Sequence, residues 1–228
     1  MKQERAVRTR RELIHSAATV FDHHGFAEAT LSMISTGAGV SRGALHFHFA
    51  NKATVRAAVE YEAVQALRGA VRNVYSGRES ALQALVDSTH ALGYALAGDV
   101  VARAGFRLGC ESSSPLDLRN EWLRYVRGML AEAAHHGELL PGMPLRTVAA
   151  TVVAATTGFE TLGQYDRSWL SHRVLTGFWQ VLLPSVATAS TLRTVDPAGT
   201  APVFDALREA TPRDPDRIPV ESRVNVLG

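Results

Sequence analysis

The chain has 228 residues, 46% of them hydrophobic and 20% charged, with a formal net charge of +2. This is the composition of a globular chain long enough for one large domain or two modest ones, and no apolar run approaches the roughly 20 residues a bilayer span needs. The single cysteine, Cys110, excludes a disulfide within the chain, a thiolate metal site and a redox pair, and reads as a small core hydrophobe.

The small net charge conceals an uneven distribution. Lys2, Arg5, Arg8, Arg10 and Arg11 stand against Glu4 alone before Glu12. Such a basic arm suits phosphate contact, because neutralising phosphates releases counterions and supplies sequence-independent affinity. No apolar segment of a signal peptide follows it, so a cytoplasmic location is expected. A first helix is expected from Arg8 to His24, with Leu13, Ile14, Ala17, Ala18, Val20 and Phe21 as its apolar face and Gly25 ending it in a left-handed turn.

Thr30 to Lys52 reads as two short helices joined by a tight turn, a helix-turn-helix built for a DNA groove. Thr30 and Ser32 can cap the first helix, whose apolar set Leu31, Ile34 and Ala38 recurs at helical spacing until Gly37 and Gly39 break it. Ser41 is a good N-cap for the second, in which Leu45 and Phe49 face inward and the rest face out. Gly43 and Ala44 let a backbone approach base edges and a thymine methyl, while Arg42 can offer a bidentate fork to guanine. A fourth helix follows from about Lys52 to Val74, with a small apolar stripe at Val55, Val59, Ala63, Ala66 and Ala70.

From Ser80 onward only helical periods occur. Helices are expected near Ser80 to Ala97, Asp99 to Cys110, Leu116 to His136, Leu145 to Gly163 and Ser168 to Val186, with Gly- and Pro-rich breaks between them. The fold class is therefore all-α. It divides into a three-helix DNA-binding domain over 1–52, a helical ligand-binding and dimerisation domain over 53–186, and a proline-punctuated stretch over 187–228 expected to be a disordered tail. Val148, Val152, Thr156 and Phe159 in one late helix, and Val174, Leu175, Phe178, Trp179 and Leu182 in the next, offer more apolar surface than one helix layer covers. A homodimer sealed by a four-helix bundle would bury the excess.

The run AGVSRGALHFHFANK resembles the recognition-helix signature of the TetR family of bacterial transcriptional regulators. The resemblance extends back through Thr9, Ala17, Ala18, Phe21, Gly25 and Phe26 and forward past Lys52. It departs at His46, where most members carry tyrosine. The resemblance and the residue order together imply base readout by Arg42, Gly43 and Ala44, a capping and contact role for Ser41, and phosphate positioning by Thr30, His46, His48 and Lys52. It also implies a palindromic double-stranded operator and a small-molecule effector.

A second, narrower resemblance lies in the body. Arg103-Ala104-Gly105-Phe106-Arg107-Leu108, a Ser/Pro loop and then Glu121-Trp122 are similar to the γ-butyrolactone receptor subgroup, the signalling-lactone sensors of streptomycetes. That subgroup places a tryptophan in the pocket, which by position is Trp122, expected here to line a cavity with Phe106, Phe159 and Leu162. The threonine such receptors use in the eighth helix falls at Phe159, a departure that points toward pseudo-receptors answering to antibiotics or their intermediates. The expected function is a ligand-released repressor of antibiotic or secondary-metabolite genes.

Two other classes stay open. An architectural DNA-binding protein without a ligand would spread along DNA where a regulator protects one short palindrome. An all-α enzyme is the other, but no Gly-rich phosphate loop, nucleophile elbow or isolated carboxylate pair is present. His23-His24 and His135-His136 lack the i, i+4 spacing of a helical zinc motif, so neither a metal nor a cofactor is expected.

Overall fold

The computed structural model describes residues 2–75, 80–109 and 118–200. Among these the chain is helical, with one isolated antiparallel bridge between Leu139 and Ala187 and no strand. α1 (Lys2–Glu28) leads into the short α2 (Leu31–Gly37) and α3 (Arg42–His48), and α4 (Lys52–Tyr75) carries the chain into the body. There α5 (Ala81–Gly98), α6 (Val100–Gly109), α7 (Leu118–His135), α8 (Leu145–Gly163) and α9 (His172–Val186) follow. The basic arm is itself helical, since α1 starts at Lys2, and Gly25 at φ 73 breaks the run where a left-handed turn was expected. The helix expected from Ser168 begins instead at His172, because Ser171 is extended and its hydroxyl caps the Val174 N–H. Cys110, the Ser/Pro break after it and residues 201–228 lie outside the described residues.

Two cores share two helices. Leu13, Ala17 and Phe21 of α1 pack with Ile34, Leu45 and Phe49, and Val55, Ala58 and Val59 of α4 with Ala104 and Leu108 of α6 close the same cluster. Val64 and Leu67, further along α4, turn into a second core with Phe106, Trp122, Val126 and Trp179. The first unit therefore does not stop at residue 52: a three-helix core is too small to seal itself, and α4 and α6 complete it. The helices cross at Gly105, where a Cβ would overlap the Ala63 methyl and lie 3.0 Å from the Val59 carbonyl oxygen.

Residues 187–200 are packed, which corrects the expectation of a tail starting at 187. α5 buries Gln83, Asp87, Ser88, Thr89 and His90, and buried polar groups require partners. Ser88 and Thr89 donate to the Ala84 and Leu85 carbonyls one turn back. The others are met by the segment after α9. Gln83 accepts from the Asp196 N–H at 2.7 Å, and Asp87 accepts from the Thr200 N–H at 2.9 Å and its hydroxyl at 2.8 Å. His90 Nε2 lies 3.0 Å from the Pro197 carbonyl oxygen, and Ala187, Thr191 and Val195 are buried alongside.

The two late apolar stripes are divided. Val148, Val152, Thr156, Leu175 and Trp179 are buried within the single chain, Val152 completely. Val181 at 79% and Leu162 at 42% exposed, with the half-buried Phe159, Phe178 and Leu182, are what face outward.

Two stability outcomes follow from α5. Asp87→Ala removes the acceptor for Thr200 and should cost about 2–4 kcal/mol in chemical denaturation; a loss under about 0.5 kcal/mol contradicts a structural role for the segment after α9. Burial, opposed by the Pro197 carbonyl, holds the His90 imidazole below its ordinary value. The unfolded chain then takes up a proton first, so stability is intact above pH ~6.5 and falls as pH drops below it. His90→Gln should reduce that slope.

Candidate functional site

The helix-turn-helix is assembled by capping and by two pins. The Thr30 hydroxyl accepts the Met33 N–H at 3.2 Å and the Ser41 hydroxyl accepts the Ala44 N–H at 3.1 Å, so each caps a short helix too brief to persist alone. Gly39, at φ 64, makes the turn between them. Ser16 of α1 donates to the Ile34 carbonyl at 2.8 Å, fastening α2 to α1. Leu45 and Phe49, both buried, hold α3 down one turn apart. That leaves Arg42, Gly43 and His46 exposed and Ala44 and His48 half-buried on one outward surface, with Thr30 and Ser41 exposed at the helix starts.

The outward surface includes one residue not singled out from the sequence. Phe47 is 81% exposed, and its place midway between the two inward anchors was the available signal. It borders a concavity of about 450 Å³ shared by Arg5, Ala6 and Thr9 of α1 with Gly39, Ser41 and His48. The basic arm thus lies beside the recognition helix as a helix, not as a loose tail.

Lys52 is placed differently from its expected phosphate role. Its ammonium donates to the carbonyls of Phe26, Ala27 and Ala29 at 2.8, 3.0 and 2.9 Å, and lies 4.6 Å from the centre of the Phe26 ring. Three donors thus meet three carbonyls at the end of α1, beyond the Gly25 break. The charge neutralises the carbonyl end of that helix and ties it to the start of α4.

In the body a cavity of about 350 Å³ opens between α4, α5, α6 and α7, walled by aliphatic side chains and by Phe106 and Trp122. Trp122 stacks on Tyr125, with ring centres 5.6 Å apart, and donates Nε1–H to the Thr156 hydroxyl at 3.0 Å. Tyr125 and Ser88 share a hydroxyl hydrogen bond of 2.7 Å. The cavity brings Phe106 and Trp122 together but leaves out Phe159 and Leu162. On α8 the residue facing Trp122 is Thr156, and Phe159 is rotated roughly 60° around the helix from it. Phe159 meets the Phe178 ring edge-on at 5.7 Å, and Leu162 is largely outside. The eighth helix therefore sets Thr156 against Trp122 about one turn before Phe159.

A polar relay runs from this region to α1. Arg107 donates to the Gln164 side chain at 2.9 Å and to the Asp22 carbonyl at 2.8 Å, and Arg103 pairs with the Asp22 carboxylate at 3.0 Å. α6 thus carries Phe106 on the cavity wall between two arginines that grip the first helix.

Residues 13–59 match the model of bacterial regulatory proteins of the tetR family. Over 217 residues the sequence is 31% identical to the A-factor receptor protein of Streptomyces griseus, spanning 93% of this chain and 76% of that protein. The chain belongs to the tetR family. Its fold is that of a solved γ-butyrolactone receptor (ArpA-like protein), with a TM-score of 0.75, 27% identity and coverage of 91% of this chain and 100% of that one. CprB from Streptomyces coelicolor, solved in complex with its operator sequence, superposes with a TM-score of 0.73 at 28% identity, over 90% and 99% of the two chains. This tetR-family chain is a γ-butyrolactone receptor-like regulator with a helix-turn-helix DNA-binding domain. No helix among its described residues is long and apolar enough to cross a membrane.

The position of Lys52 yields a test. Lys52→Ala should lower unfolding stability by about 1–3 kcal/mol through three orphaned carbonyls, while the salt dependence of DNA binding keeps its slope. A slope reduced by about 1 with unchanged stability would mean a phosphate contact instead.

Proposed function

We propose that the chain is a homodimeric repressor of antibiotic or secondary-metabolite genes that leaves a palindromic operator when a small hydrophobic molecule occupies the body cavity. The observation carrying this is the double attachment of α6. Phe106 lines the cavity, while Gly105 on the same helix touches α4 and Arg103 and Arg107 hold Asp22 of α1. Anything that moves α6 moves the supports of the reader. A ligand acts only through differential affinity, so release requires several kcal/mol of preference for the released state, which a mostly apolar cavity can supply.

Base readout by Arg42, Gly43 and Ala44 is supported by the surroundings of Gly43. Among the described residues a Cβ there would meet only the Ser41 hydroxyl, at 3.9 Å, so the exposed glycine leaves room for a close partner such as DNA. Thr30, Ser41, His46 and His48 border the same surface and suit phosphates. Dimerisation is supported by the outward sides of α8 and α9, where Gly158 and Gly177 leave open space and Val181 is exposed.

Arg42→Ala should cost about 1–3 kcal/mol at one operator position and relax preference there; an unchanged preference removes it as a reader. Trp122→Ala should bind the operator nearly as wild type yet resist release across a lactone and antibiotic series in gel shifts, and release at the wild-type concentration would exclude the cavity. Val181→Glu should sediment as a monomer with weak operator binding, because two half-sites need two readers at fixed separation; a tight-binding monomer would refute the dimer.

A further inference from the structure

We infer that the cavity selects an amphipathic anion, an apolar body with one carboxylate-like head, and that the Arg68–Glu121 ion pair at its rim is the latch that such a head opens. The inference rests on the cavity being a ligand site and adds the chemical class of the ligand. Most of the wall is hydrocarbon, and the polar atoms that Trp122 and Tyr125 contribute are already engaged, one with Thr156 and the other with Ser88. Among the described residues the charged groups on the lining are Arg68 of α4 and Glu121 of α7, joined by two hydrogen bonds of 2.6 and 3.1 Å.

Three features decide the sign of the preferred charge. First, the pair is not sealed: the Arg68 side chain is 49% and that of Glu121 26% exposed, so it is solvated and exchangeable. Second, the partners are unequal. Among the described residues Arg68 meets one carboxylate, whereas Glu121 also has Arg124 at 4.0 Å on its own helix. An incoming carboxylate can therefore take Arg68 while Glu121 turns to Arg124 on its own helix. An incoming ammonium would have to displace both arginines from one acid. Third, a guanidinium grips a carboxylate bidentately, and the existing pair already shows that geometry at this site. The exchange also transfers Arg68 from the α7 wall to the ligand, so the helix leading to the reader registers the occupant's head group as well as its bulk.

The test compares decanoate, methyl decanoate and decylamine binding to the full chain near neutral pH by calorimetry, with tryptophan fluorescence alongside. Wild type should bind decanoate about tenfold more tightly than the ester and the amine. Arg68→Gln, at an exposed position that leaves the core untouched, should bring decanoate down to the ester's affinity without changing the ester's. Glu121→Gln should strengthen decanoate relative to wild type, because the internal competitor for Arg68 is gone. Equal acid and ester binding to wild type, an acid preference that survives Arg68→Gln, or weaker decanoate binding in Glu121→Gln each overturns the latch while leaving the cavity as a ligand site. If none of the three probes binds, the latch and the cavity assignment both fall.

Discussion

The crossing of α4 and α6 at Gly105 is a close approach, where a side chain on α6 would overlap the Ala63 methyl and crowd the Val59 carbonyl. Both hydrophobic cores reach this point from opposite sides, and neither is complete without these helices. Arg56 on α4 reinforces it, donating to the Leu108 carbonyl near the end of α6 at 2.8 Å and pairing with Glu60 one turn further along α4 at 2.9 Å. Close-packed helices transmit displacement because interiors have few voids to absorb it. The reader and the cavity are therefore two ends of one packed unit.

The cavity wall is built with few unsatisfied demands. The Trp122 indole N–H and the Tyr125 hydroxyl have partners in the protein, so they add orientation without a desolvation penalty for an apolar guest. Thr156 satisfies Trp122 while sharing its own proton with carbonyls of the preceding turn. The charged pair sits at the rim, where water limits its strength. The cavity thus combines an apolar interior with a charged pair at its mouth.

The helix-turn-helix was legible because every determinant is local. Caps at Thr30 and Ser41, the glycine at the turn and the anchors Leu45 and Phe49 act within a few residues of one another, and each lies where periodicity put it. The contacts of Lys52 were hidden for the opposite reason: the carbonyls it serves belong to Phe26, Ala27 and Ala29, more than twenty positions away. Sequence order placed it beside the recognition helix, and space placed it at the end of α1.

The same division runs through the body. Helical periods, caps and Gly/Pro breaks by themselves determined an all-α chain and the reading helix, since these depend on a residue and its neighbours one turn away. Only the tertiary structure decided that Thr156 rather than Phe159 meets Trp122, that Val152 is interior, and that residues 187–200 are held by Asp87, Gln83 and His90. Each of these turns on the rotation of one helix against another or on a buried hydrogen bond between distant segments. Those quantities emerge when cores close and buried polar groups find partners, and no local pattern encodes them.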